Sequence, residues 1–245
     1  MQQYFVDTPL CLDTPLLMNE KQCHHIIHVM RMRQNECIRV ADDSGTIMIA
    51  HIQIKGKEVW ANPFETLPAA ALAGEVTLIM GLIKGDRWEL VLQKAAELGA
   101  TRIVPISTRY SVVKVTKEKM DKKMQRWQSI ATEASEQCER STICKVEEPI
   151  TFDELNDYKS DLNIIAYERA DVRSLHISRL LKQHPFRSVS VLIGCEGGFA
   201  IEEVKQAEEY GFSRVSLGPL ILRAETAAMA ALSNISYELE ARDLK

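Results

Sequence analysis

The stretch SVSVLIGCEGGF, residues 188–199, joins a mainly apolar run to a glycine-rich loop. An apolar run of this length predicts a strand that is buried on both faces, which is typical of a parallel sheet covered by helices. Ile201, Val204 and Ala207 follow at helical spacing, and Gly211 supplies a stop signal. A strand, a glycine loop and a helix in this order predict an α/β fold in which a ligand binds beyond the carboxyl end of the strand.

The same alternation of strands and helices extends in both directions from this stretch. The apolar run VTLIMGLI predicts a buried strand at 76–83, and further strands are predicted at 101–107, 163–168 and 213–218. Apolar residues at helical spacing predict helices at about 88–99, 117–138, 172–184 and 228–239. We therefore expect one parallel sheet with helices on both faces.

The first 70 residues have a different predicted secondary structure, with short strands and turns. The runs CIRVAD (37–42), TIMIAHIQI (46–54) and EVWANPF (58–64) read as short strands, and DDSG (42–45) predicts a hairpin between the first two. This pattern predicts a small β-barrel or β-sandwich over residues 1–70, a linker at about 67–75 and an α/β domain over residues 74–245.

Bulk composition excludes several classes of protein. A net charge of −4 argues against a chain that is held to nucleic acid by overall charge. No run of about 18 apolar residues is present, and the N-terminus lacks the pattern of a signal peptide. Six cysteines without a C-x-x-C pair indicate reduced thiols in a cytoplasmic protein, and neither they nor the H-H-x-x-H run at 24–28 predict a metal site.

One local segment is strongly basic. Residues 114–126 carry five lysines and one arginine against Glu118 and Asp121, a net charge of +4. The segment is either a solvated helix face or an edge that contacts phosphates.

Two motifs follow predicted strands near the end of the chain. GCEGGF (194–199) is either a structural turn or a loop that lets a ligand approach the backbone, and it lacks the G-x-G-x-x-G pattern of dinucleotide sites. In SLGPLILRAETAAMAAL (216–232), the apolar residues 220–222 either belong to the core or form the wall of an adenine pocket. Arg223 and Glu225 flank the predicted start of a helix, where they could form an ion pair or act on a substrate.

Taken together and in this order, the two motifs resemble the signature of the ribosomal RNA small subunit methyltransferase E family, in the SPOUT class. Three further blocks are similar to the family's pattern: HHIIHVMRMRQNE (24–36), KGDRWELVLQKAAELGATRIVP (84–105) and RWQSIATEASEQCER (126–140). Cys195 and Leu220 stand where the family usually has proline and arginine.

The resemblance implies an N-terminal PUA-like β-barrel that binds RNA (1–70) and a C-terminal SPOUT α/β domain with a trefoil knot (74–245). It also implies a homodimer that uses S-adenosyl-L-methionine to methylate N3 of a uridine in small-subunit (16S) ribosomal RNA. The positions that it assigns to the cofactor are Tyr167, Glu168, Gly194, Glu196, Gly197, Gly198, Ser216, Leu217, Gly218, Ile221, Leu222 and Thr226.

The implied reaction requires a second set of residues. Uridine N3 is a poor nucleophile until its proton leaves, so the site must stabilise an anion. Arg223 is the candidate for that charge, and Glu225 is a possible base, although a helix N-terminus favours its ionised, weakly basic form. Candidate phosphate contacts are Arg31, Arg33, Lys84, Arg87 and Lys114.

Two other functions stay open at this stage. A non-catalytic RNA-binding or ribosome-assembly factor could keep the fold, and Leu220 is the feature that favours it. A nucleotide-dependent oxidoreductase is disfavoured by the missing dinucleotide fingerprint.

Overall fold

The structure is a computed structural model, and it describes residues 1–69, 74–111, 117–167 and 175–243. By their internal contacts these residues form two compact units. The first unit is the described part of Met1–Ala71 together with Ser135–Ile143, and the second comprises the remaining residues. Among the described residues, no helix is long and apolar enough to cross a membrane.

The first unit is built on a five-stranded mixed sheet with the order β1-β3-β4-β5-β2. Strands β1 and β3 are parallel and the other neighbours are antiparallel. The predicted hairpin between residues 37–42 and 46–54 is confirmed, and no pairing among the described residues closes the sheet into a barrel. The strands are β1 (Gln3–Val6), β2 (Leu16–Leu17), β3 (Cys37–Asp42), β4 (Ile47–Lys55) and β5 (Glu58–Leu67).

Alternation along β3, β4 and β5 divides this sheet into an inner and an outer face. Ile38, Ala50, Ile52 and Ala61 point into one apolar cluster and are fully buried, whereas His51 between two of them is exposed. Helix α1 (Glu20–His24) covers part of the inner face, and a π-helical turn (His25–Val29) continues it.

The second unit contains a seven-stranded sheet with the order β10-β12-β9-β11-β6-β7-β8, and every described pairing in it is parallel. The strands are β6 (Glu75–Gly81), β7 (Arg102–Ile106), β8 (Lys145–Val146), β9 (Leu162–Ala166), β10 (Leu175–His176), β11 (Ser188–Ile193) and β12 (Ser213–Ser216). The helices are α2 (Asp86–Glu97), α3 (Lys117–Gln137), α4 (Ile177–Gln183), α5 (Ile201–Glu209), α6 (Ala224–Asp243) and a 3₁₀ helix (Phe152–Tyr158). The last three residues of α3 are counted with the first unit.

Helices cover both faces of the parallel sheet, as the continuous apolar runs predicted. Leu78 and Met80 of β6 join a large cluster with α2, α3, α4 and α6. Ile79, between them, joins a second cluster with α5 and the 3₁₀ helix. The predicted α/β class with a parallel sheet is therefore confirmed.

One predicted helix begins later than expected. Apolar spacing predicted a helix from about residue 172, but α4 begins at Ile177. Leu175 and His176 instead pair with β12 as strand β10, and the His176 ring accepts a hydrogen bond from the Ser178 N–H at 3.3 Å. Residues 172–174 lie outside the described residues.

Candidate functional site

A cavity of about 960 Å³ lies at the carboxyl ends of β9 and β11. Four segments form its wall: the end of β9 with Tyr167, the loop after β11, the residues at the start of α6, and Arg87 in the first turn of α2. Ligands of parallel α/β sheets bind at this edge, because loops from several strands converge there. The residues on the wall are Arg87, Ala166, Tyr167, Ile193, Gly194, Cys195, Glu196, Gly197, Gly198, Phe199, Ile221, Leu222, Arg223, Ala224 and Ala227.

The loop after β11 is a tight turn that requires glycine at two positions. The Gly198 N–H donates to the Cys195 carbonyl at 2.9 Å, and Gly198 has a φ of +68°, which side chains rarely adopt. At Gly197, an added Cβ would lie 2.6 Å from Cβ of Tyr110. The turn therefore presents bare backbone to the cavity, while buried Phe199 anchors its end in the core.

Glu196 connects this loop to the segment that follows β6. Its Oε1 accepts from the Arg87 Nη2 at 2.8 Å and from the Lys84 backbone N–H at 3.4 Å. The Arg87 and Glu196 side chains are 40% and 32% exposed, so the ion pair contributes little to stability, of the order of 1 kcal/mol or less. It does hold the Arg87 guanidinium at the cavity wall.

Tyr167 forms the wall on the opposite side of the turn, and a cation fixes its ring. The ring is buried, and the guanidinium carbon of Arg214 lies 5.5 Å from the ring centroid. Arg214 is held by two hydrogen bonds to Glu208, Nη2 to Oε2 at 2.6 Å and Nε to Oε1 at 3.1 Å. Tyr167 is therefore a wall residue whose ring is fixed by contacts within the protein.

The segment between β12 and α6 supplies the third part of the wall. Ser216 Oγ accepts from the Gly218 N–H at 3.1 Å and donates to the Gly218 carbonyl at 3.0 Å, which makes a compact turn. Leu222 packs against the large core, whereas Ile221 is 89% exposed. Ile221 and Leu222 are both on the cavity wall, and Leu222 also contacts the core. That this wall holds an adenine stays a prediction.

Arg223 and Glu225 lie on either side of the first residue of α6, but they are in different environments. Arg223 is on the cavity wall. Glu225 is buried away from it, and its Oε2 has no hydrogen-bond partner among the described residues. The two side chains form no ion pair in the described part of the chain, so the ion-pair interpretation of the motif is not supported.

The structure brings together most of the residues that the sequence assigned to a cofactor. Ser216, Leu217, Gly218 and Thr226 neighbour the wall in sequence but are not on it. Glu168 lies outside the described residues. The predicted cofactor residues on the wall are Tyr167, Gly194, Glu196, Gly197, Gly198, Ile221 and Leu222.

The predicted phosphate contacts are dispersed. Arg87 is on the wall and Lys84 is beside it through its backbone. Arg31 and Arg33 are exposed in the first unit, and Lys114 lies outside the described residues. Arg126, the last residue of the basic segment, donates to Glu89 at 2.7 and 2.9 Å, so it is engaged within the protein.

Sequence reasoning missed four wall residues, all of them apolar. Ala166 and Ile193 lie at the ends of predicted strands, and Ala224 and Ala227 lie at the start of the last helix, so nothing in the sequence separates them from core residues. Cys195 and Phe199, also on the wall, belong to the GCEGGF motif that the sequence had singled out.

Comparison with known proteins gives consistent matches over the whole chain. A family model described as an RNA methyltransferase domain matches residues 71–236. The ribosomal RNA small subunit methyltransferase E of Bacillus subtilis (strain 168) is 33% identical over 258 residues, which cover 98% of each chain. The Synechocystis protein of the same name is 32% identical over 234 residues, 94% of this chain and 75% of the relative.

A solved structure with the same name matches the fold. The crystal structure of a ribosomal RNA small subunit methyltransferase E from Neisseria gonorrhoeae bound to S-adenosyl methionine has a TM-score of 0.84 and is 28% identical, and the match covers 97% of both chains.

Proposed function

The chain belongs to the ribosomal RNA small subunit methyltransferase E family, and we propose that it transfers a methyl group from S-adenosyl-L-methionine to N3 of a uridine in small-subunit ribosomal RNA. The observation that carries the proposal is the cavity at the carboxyl ends of β9 and β11, where the glycine turn, Tyr167 and Arg223 meet. Methylation of ribosomal RNA with this cofactor follows from the family; the uridine and its N3 atom are our proposal.

The cavity wall fits the cofactor's chemistry. Backbone groups of the turn 194–198 are uncovered because three of its residues are glycines, and they can bond the polar edge of an adenine. Tyr167, Ile221 and Leu222 offer apolar surface for its faces. We assign cofactor contacts to Tyr167, Glu168, Gly194, Glu196, Gly197, Gly198, Ser216, Leu217, Gly218, Ile221, Leu222 and Thr226.

When bound, S-adenosyl-L-methionine supplies an electrophilic methyl group on a sulfonium centre. This chain must then hold the uridine in line with that group and favour loss of the N3 proton. Arg223 lies on the wall and carries a fixed positive charge, which would stabilise the negative charge that develops on the base's carbonyl oxygens.

Glu225 completes the proposed catalytic pair, but in a supporting role. Its carboxylate is buried in the first turn of α6 and is not on the cavity wall. We propose that it fixes the start of α6, and with it Arg223, rather than taking the uridine proton.

In this proposal one unit binds RNA and the other binds the cofactor. Residues 1–70 would form a PUA-like RNA-binding domain, and residues 74–245 a SPOUT domain with a trefoil knot that binds the cofactor. Phosphates of the RNA would contact Arg31, Arg33, Lys84, Arg87 and Lys114.

We further propose a homodimer that acts in the cytoplasm. Leu220 and Ile221 are 72% and 89% exposed beside the cavity wall, which is apolar surface that a second copy could cover. All six cysteines are free thiols, as expected in a reducing compartment.

The test is methyl transfer from labelled S-adenosyl-L-methionine to small ribosomal subunits from cells that lack this protein, followed by nucleoside analysis. We expect labelled 3-methyluridine. Arg223→Ala should lower kcat about 100-fold or more with unchanged cofactor affinity, whereas Arg179→Ala, an exposed arginine of α4 that is not on the wall, should be fully active.

The other outcomes separate the alternatives. Cofactor binding without transfer would indicate a non-catalytic RNA-binding factor. Binding of a nicotinamide cofactor instead would indicate an oxidoreductase. Full activity of Arg223→Ala would remove the main catalytic assignment and leave the family membership intact.

A further inference from the structure

A second cavity, of about 510 Å³, lies on the outer face of the β4–β5 hairpin in the first unit. Its lining contains four side-chain amides and one imidazole, and no carboxylate, ammonium or guanidinium group. Such a lining suits a neutral ligand that carries both donors and acceptors. The lining residues are Gln34, Asn35, His51, Gln53 and Asn62.

The cavity adjoins a stacked aromatic pair. The rings of His51 and Phe64 have centroids 4.3 Å apart and planes inclined by 14°. Phe64 is 42% exposed, so this hairpin presents a large aromatic side chain to solvent. On the same face, Lys55 lies 5.7 Å from the Trp60 ring centroid. Proteins hold single-stranded nucleic acid with exposed aromatic rings and cations that lie on one face, and this face of the hairpin has both.

Hydrogen bonds fix some amides of the lining and leave others available. Asn62 Nδ2 donates to the His51 carbonyl at 3.2 Å, and Gln34 Oε1 accepts from the Ile54 N–H at 2.8 Å. The Gln53 amide has no hydrogen bond among the described residues. Some lining side chains are therefore fixed by hydrogen bonds within the protein, and others have donors and acceptors that can bond a ligand.

We propose that this cavity binds a nucleobase of single-stranded RNA. The base stacks on the His51–Phe64 pair, and the amides bond its edges, as neutral side chains do when they read bases. Lys55 is placed to contact the adjoining phosphate. The proposal rests on the proposed function in taking RNA as the ligand and residues 1–70 as a unit that binds it.

The experiment measures binding of a fluorescein-labelled, ten-nucleotide oligouridylate to the full chain by anisotropy. Phe64→Ala should raise the Kd at least about five-fold, the lower end of what one stacked base contributes. Phe64→Tyr should restore binding, and Thr66→Ala, an exposed residue of the same strand that belongs neither to the aromatic stack nor to the cavity lining, should bind normally. Gln53→Ala should also raise the Kd.

The salt dependence provides an independent readout. Loss of stacking or of an amide contact releases no counterion, so the slope of log Kd against log salt should be the same in Phe64→Ala as in the unaltered chain. Lys55→Ala should lower that slope. An oligouridylate containing 4-thiouridine should crosslink within β4 or β5.

The inference is overturned if the unaltered chain does not bind the oligouridylate, or if Phe64→Ala and Gln53→Ala both bind like the unaltered chain. Methyl transfer and cofactor binding are measured separately. Phe64-dependent RNA binding without methyl transfer would refute only the proposed function, and methyl transfer with RNA binding independent of Phe64 would refute only this inference.

Discussion

Replacing Gly197 by alanine would place a carbon atom where Tyr110 already lies. The added Cβ would be 2.6 Å from Cβ of Tyr110 and 3.3 Å from its Cγ. Carbon atoms in contact are normally about 3.5–4.0 Å apart, so one of the two backbones must move by about 1 Å. A side-chain rotation cannot relieve the clash, because the nearer atom is a Cβ.

The expected effect is a loss of cofactor affinity. Overpacking of this kind costs about 1–3 kcal/mol. Gly197 is also part of the cavity wall that would hold the cofactor. If the clash displaces the turn, the wall no longer fits the cofactor, and the free energy of cofactor binding should become less favourable by the overpacking cost. That range corresponds to an increase in the Kd of S-adenosyl-L-methionine of about 5- to 150-fold.

Calorimetric titration with the cofactor is the assay, and Tyr110 provides the matched controls. Tyr110→Gly removes the clashing Cβ and should restore affinity to Gly197→Ala, whereas Tyr110→Ala keeps that atom and should not. Gly211→Ala separates local from global effects, because Gly211 has a φ of +90° but no atom within 4 Å of an added Cβ. It should lower the Tm, through strain of about 1–2 kcal/mol, without changing cofactor affinity.

Two results would refute this reasoning. If Gly197→Ala binds the cofactor like the unaltered chain, the turn 194–198 does not form the binding surface. If Tyr110→Ala restores affinity as well as Tyr110→Gly does, the loss does not come from the contact between the two Cβ atoms.

Three further predictions concern other residues. Burial raises the pKa of Asp42, but hydrogen bonds from backbone and hydroxyl groups outweigh burial and hold that pKa below its usual value. The stability that this carboxylate contributes is therefore present above about pH 4 and is lost as the pH falls through the lowered pKa. Asp42→Asn should remove the decrease in Tm that accompanies protonation of Asp42 in a series of melting curves at falling pH. Arg214→Met should raise the cofactor Kd about two- to five-fold, because Tyr167 loses the cation that fixes its ring. Glu225→Gln should lower kcat less than tenfold, and a loss above about 100-fold would make Glu225 the base and contradict a supporting role.

The architecture could be predicted where burial leaves a periodic pattern. Strand β6 is covered on both faces, so its sequence is mostly apolar, and α3 has the length that was predicted for it. Strands β8 and β10 have two residues each, which is too short for any period to appear. Strand order was equally inaccessible, because an apolar run does not identify its neighbours.

Some residues of the candidate site could be predicted from the sequence and others could not. The glycine turn was visible because glycine carries a conformational signal of its own. Ala166 and Ala227 were not, because small apolar residues at the end of a strand and the start of a helix are indistinguishable from core residues in the sequence. Arg87 was predicted as a phosphate contact, but its ion pair with Glu196 was not predicted. The two residues are 109 positions apart in the sequence and meet because strands β6 and β11 are neighbours in the sheet.

Strand order also explains why the two late motifs act as one site. Strand β11 lies between β9 and β6, so the turn after β11 is flanked by Tyr167 on one side and by the segment containing Lys84 and Arg87 on the other. Helix α6 packs in the cluster that contains α2 and α4, and its first turn closes the cavity over the same strand ends. Each motif alone would be a turn or a helix start. The binding surface arises because a parallel sheet places both at the same edge, so the pairing of β11 with β9 and β6 is as necessary to the site as any residue on its wall.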